Sequence, residues 1–159
     1  MESPRELAQE MAQKMREILE EGRSAIPICL IVTRSGEAIV MGFEFPEGMG
    51  TGPKDMAAHA MQRMKQDPEV DYVIFLADAW CGKLMKLEEY QKYDSVKDIP
   101  GRGEGIMVTV FGRNRLTEGG TWEYTREGGK LIWKTPGIEW HEGRRMEGRF
   151  VPEEQHSKQ

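Results

Sequence analysis

The sequence predicts an α+β domain: a single, mostly antiparallel sheet of about six strands with two helices, in the order α-β-β-α-β-loop-β-β-β. Two observations carry the prediction. Apolar residues recur at spacings of three and four in two segments only. Between and after those segments lie short β-branched or alternating runs closed by Gly, Asn, Asp and Pro.

Ser3-Pro4 reads as an N-cap followed by proline at the first helical position. Leu7, Met11, Met15, Ile18 and Leu19 then form one stripe, and Gly22 closes the helix. Ile26 to Thr33 is almost continuously apolar and suits a strand covered on both faces. Arg34-Ser-Gly-Glu37 is a tight turn, and Ala38 to Phe45 completes a hairpin.

A glycine-rich loop, Pro46 to Gly52, leads to a second helix opened by Pro53 and ended by Asp67-Pro68. Its stripe is Met56, Ala57, Ala60, Met61 and Met64. Val70 to Ala77 is another doubly covered strand. Gly82 to Glu104 is a long connection with one short helical turn near Leu87–Lys92. Gly105–Arg113 is a strand, Asn114–Gly120 a loop, Thr121–Arg126 a strand and Lys130–Thr135 a strand after the Glu127-Gly-Gly turn. The last three strands make a meander. Both helices are expected on one face of the sheet. Residues 1–150 read as one domain and 151–159 as a solvated tail.

The 159 residues carry Lys+Arg 22 against Asp+Glu 27, a net charge of −5, with 38% hydrophobic residues. That composition builds one core and excludes a collagen-like chain or a disulfide scaffold. Nucleic acid is an unlikely partner for an acidic chain whose basic residues form no patch. No apolar run reaches the ~20 residues of a membrane span, and the N-terminus has no secretory pattern. Two cysteines, Cys29 and Cys81, in or beside apolar segments point to a reducing cytoplasm. Most of the 11 methionines match the apolar period and read as core filling.

The element order collects polar residues on one edge. If the second strand runs upward, the glycine loop, the start of the second helix and both ends of the long connection all lie at the top. Lys54, Asp78, Trp80, Cys81, Arg102 and Glu104 gather there. Gly48-x-Gly-x-Gly-Pro-Lys54 precedes a helix N-terminus, where anions bind, but matches no nucleotide fingerprint. Trp80 offers a ligand platform or an anchor for the loop. Asp78 and Glu104 offer paired acceptors, and Arg102-Gly-Glu104 reads as a loop-closing ion pair. Cys81 lacks a recognisable base, although His141 is not placed by any pattern, and the three histidines do not form a zinc spacing. Trp122, Tyr124 and Arg126 share a face beside Trp133, as cross-strand pairs or as a protein-binding surface.

Phe75-Leu-Ala-Asp-Ala-Trp80 and Ile99-Pro-Gly-Arg-Gly-Glu-Gly-Ile-Met-Val-Thr109, with Gly148-Arg-Phe150 near the end, resemble a family of uncharacterised bacterial and phage proteins. In that family a buried strand ends in an acidic residue followed by Ala-Trp, and a Pro-Arg-Glu segment opens the next strand. The resemblance implies a bacterial or phage origin and a cytoplasmic location, and brings no activity with it.

The leading expectation is a small binding or accessory protein that captures a partner or small ligand through residues 46–54 and 78–104. Trp80 is its platform, Asp78 and Glu104 its acceptors, Arg102 its anion clamp and Lys54 a weaker electrostatic contributor. The alternatives are a small metal-assisted hydrolase using Asp78 and Glu104 and a subunit that self-associates through the meander edge. No cofactor is indicated by any motif.

Overall fold

A computed structural model of the chain describes residues 3–44, 52–81, 86–94 and 98–141. Helix α1 spans Pro4–Glu20, β1 Ile28–Thr33, β2 Ala38–Gly42, α2 Gly52–Gln66 and β3 Val70–Cys81. Then come the short helix α3 at Leu87–Tyr90, β4 at Gly103–Gly112, β5 at Arg115–Glu127, β6 at Lys130–Trp133 and β7 at Glu139–Trp140. One antiparallel sheet results, in the order β2-β1-β3-β4-β5-β6, with β7 also paired to β5. This is the α+β class that the residue pattern predicts.

Local chemistry explains the element ends. Ser3 Oγ accepts the Glu6 N–H at 3.2 Å, with proline at the start of α1. Gly22 lies just beyond the helix at φ 79, a conformation that only glycine adopts freely. β2 and β3 both pair antiparallel with β1, so they run parallel to each other. α2 is the crossover between them.

The two helices lie on opposite faces, not on one. Alternation along β3 sets this arrangement. Ile74 and Leu76 join Ala8, Ala12, Met15 and Leu19 of α1 in one core, with Val108, Val110 and Trp122. Val73 and Phe75 point the other way and pack with Cys29, Phe111 and Met61 of α2. A strand apolar at both parities must be covered twice. The α2 stripe is also narrower than expected: Met56 is 75% exposed, whereas Lys65 is buried and donates to Gly112 C=O and Thr117 Oγ1.

A second correction concerns residues 114–120, which the Gly-Gly pair marks as a loop. Asn114 is in the turn after β4, but residues 115–120 are strand, and β5 is a 13-residue partner of β4. The glycines make room rather than a bend. A Cβ on Gly120 would lie 2.5 Å from Ile138 Cγ2 and 3.1 Å from the Glu139 carbonyl, where β7 crosses. The expected tail at 151–159 and Gly148-Arg-Phe150 lie outside the described residues. Among the described residues, no helix is long and apolar enough to cross a membrane.

Candidate functional site

The residues around Arg102 form a turn with a clear chemical origin. The Arg102 N–H donates to Ile99 C=O at 3.3 Å, with Pro100 and Gly101 between them. Gly101 has φ 74, which is the glycine position of a type II turn with proline preceding it. Buried Ile99 anchors the turn. Arg102 emerges at the start of β4 and lies over the Trp80 ring, 4.4 Å from its centroid. Trp80 pairs with Glu104 across the β3–β4 ladder and keeps 43% of its surface exposed. Among the described residues Arg102 has no ion-pair partner, so its donors remain available.

Two-residue alternation places Asp78 and Trp80 of β3 on the same face as Glu104 of β4 and Tyr124 and Arg126 of β5. The Tyr124 hydroxyl donates to Asp78 Oδ1 at 2.8 Å. Burial raises the Asp78 carboxyl above its ordinary range, the hydrogen bond from Tyr124 opposes that rise, and the Glu104 carboxylate adds to it. The Tyr124 phenol is pushed up, first by burial and then by its bond to Asp78. Arg126 grips Glu104 through two guanidinium nitrogens, Nε at 2.8 Å and Nη2 at 3.3 Å, and lies over the Tyr124 ring.

The site is tied to α1 through aromatic rings. Trp133 of β6 packs on Tyr124 and Trp122, each at 4.8 Å between centroids. Its indole N–H donates to Glu20 Oε1 at 2.9 Å, and Arg16 covers both tryptophans. The hydrogen bond from Arg16 leads the effects that lower the Glu20 carboxyl. These contacts fix the strand face from which Asp78 and Glu104 project.

Four of the five residues singled out in the sequence therefore come together: Asp78, Trp80, Arg102 and Glu104. The fifth is Lys54. Its backbone lies in the first turn of α2, on the opposite face, and its side chain lies outside the described residues. The glycine loop over 46–51 lies outside them as well, as does the Cys81 side chain. His141 is engaged elsewhere, with Nε2 2.9 Å from Thr121 Oγ1.

Two expectations change. Glu104 pairs with Arg126 rather than Arg102, because Arg126 is its diagonal neighbour across the β4–β5 ladder. The Trp122–Tyr124 face is no free protein-binding surface, since α1 covers it and both rings are buried. Tyr124 and Arg126 are the site neighbours that sequence reasoning missed. Their alternation put them on one face, but it takes the β3–β4 and β4–β5 registers together to bring that face against Asp78. Comparison with family models, curated proteins and solved structures gives no match.

Proposed function

We propose that this chain is a small binding or accessory protein. It captures a partner or small ligand at the β3–β4 edge, with an anionic group of that ligand seated on Arg102. The observation that carries this reading is the guanidinium stacked at 4.4 Å on a part-exposed tryptophan, with its donors uncommitted among the described residues. The contact holds the guanidinium over the ring. A planar fork with free donors recognises carboxylate or phosphate oxygens in bidentate fashion.

Beside this clamp, Asp78 and Glu104 keep acceptor capacity beyond the bonds from Tyr124 and Arg126, because an ionised carboxylate accepts at about four lone-pair positions. Two carboxylates beside an uncommitted guanidinium suit a ligand that carries hydrogen-bond donors as well as an anion. The partners of the two carboxylates favour binding over metal-assisted hydrolysis. Asp78 is held by a phenol and Glu104 by a guanidinium. Among the described residues no group of three His, Cys, Asp or Glu stands ready to share a metal.

Native mass spectrometry of gently purified wild type, Arg102→Ala and Trp80→Ala tests the reading. The expected result is a non-covalent adduct on wild type that is lost from both variants while their circular dichroism is unchanged. An adduct retained at full occupancy on Arg102→Ala would remove the clamp from the account.

A further inference from the structure

Among the described residues the sheet has two free edges, β2 at one end and β6 with β7 at the other, and they differ. β6 is four residues long, begins with Lys130 and is followed by Lys134, which pairs with Glu123. Lysine and brevity are the usual protections of an edge. β2, at five residues, is nearly as short but lacks the lysines: Ala38-Ile-Val-Met-Gly42 contains no charge, no proline and no bulge, and every one of its residues is exposed. Ile39 and Val40 show 56% and 64% of their surface.

The hydrogen bonds to β1 show which backbone groups the edge presents. The Phe43 N–H donates to Pro27 C=O, and the Thr33 N–H donates to Glu37 C=O, each at 2.8 Å. In an antiparallel ladder the bonded residues alternate, so 37, 39, 41 and 43 face β1. Ala38, Val40 and Gly42 therefore turn their N–H and C=O groups outward.

We propose that β2 is the seat of a two-fold interface, in which β2 of a second copy of this chain adds antiparallel to it, centred on Val40. Self-pairing is what the order of residues fits. Centring on Val40 uses all three outward residues: Val40 meets Val40 of the second copy, and Ala38 meets its Gly42. On one face Ile39 then meets the second copy's Met41. The flanking acids do not collide, since Glu37 falls opposite Phe43 and Glu44 opposite Gly36. On the other face, Val40 also lines a cavity of ≈ 340 Å³ with Met15, Ile18, Ile26 and Ile28, alongside Lys14 and Arg23. The two-fold axis brings the cavities of the two copies together across the Val40 pair.

Sedimentation of wild type from about 1 to about 500 µM, a range suited to a small interface, tests the proposal. A monomer–dimer equilibrium is expected. Val40→Lys, at an exposed position, should raise the concentration of half-dissociation at least about tenfold. Ile132→Lys on β6 should leave it unchanged. Hydrogen exchange on wild type supplies a readout independent of any variant. The amides of 38, 40 and 42 should slow as concentration rises, while those of 39 and 41, already bonded to β1, change little. Wild type that stays monomeric throughout overturns the proposal, even if the strand of another protein occupies β2. So does a dimer that Val40→Lys leaves intact, or one whose formation does not slow the three outward amides.

Discussion

Asp78 is a part-buried carboxyl whose charged form is disfavoured by burial and by the nearby Glu104. Its folded-state pKa lies above its unfolded value of ~3.9. Between those two values the folded chain binds more protons than the unfolded one. The stability contributed by Asp78 is therefore fully present below the unfolded value and is lost as pH rises through the folded value. Asp78→Asn removes the charge and keeps an acceptor for the Tyr124 hydroxyl. Because the carboxyl is partly solvated, the expected gain at neutral pH is a fraction of a kcal/mol, or ~1 °C in Tm. The gain should disappear by about pH 3, where both states of wild type are protonated. A thermal-melt series across pH checks this. Tyr124→Phe acts in the opposite sense. It leaves the Asp78 oxygen without its 2.8 Å donor and should cost about 1–3 kcal/mol at neutral pH. It should also push the Asp78 titration further upward, which carboxyl NMR can follow.

At the scale of elements, the clearest lesson lies in β5. Its first half was illegible because Gly119-Gly120 carries the signature of a loop, while its structural role is to admit β7. Gly120→Ala places a methyl against Ile138 Cγ2 and the Glu139 carbonyl. The expected cost is about 1–3 kcal/mol, seen in chemical denaturation. The His141 N–H, which donates to Gly119 C=O at 2.8 Å, should lose exchange protection as β7 is displaced. β1 and β3 as far as Ala77, by contrast, were legible, although β3 continues to Cys81 and so carries Asp78 and Trp80. Their unbroken apolar runs required cover on both faces, and they are interior strands packed on both sides. The same observation would have separated the two helices: Ile74 and Leu76 need one and Val73 and Phe75 need the other. The Pro100-Gly101 turn lay unmarked inside the long connection, and the placement of Arg102 over Trp80 required the β3–β4 register.

For the whole molecule, strand direction alone placed Asp78, Trp80, Arg102 and Glu104 on one edge, because each step up or down the sheet follows from element order. The partners that hold those residues were not legible. Tyr124 lies 46 residues beyond Asp78, and although the meander places β5 beside β4, no local pattern places β4 beside β3. The site is also joined to α1 through Trp133, Glu20 and Arg16, so the edge is supported by the main core.

The central claim is that Arg102 on Trp80 receives an anion. The most direct test follows the indole N–H signals of the four tryptophans by ¹⁵N NMR while inorganic phosphate, citrate and glutamate are titrated in turn. The Trp122 and Trp133 indoles are bonded to Thr135 C=O and Glu20, each at 2.9 Å, and serve as internal references. The Trp80 signal, assigned by its loss in Trp80→Phe, should move saturably with at least one of these anions and remain still in Arg102→Ala. A Trp80 signal indifferent to all three, or one that moves equally without Arg102, would contradict the account.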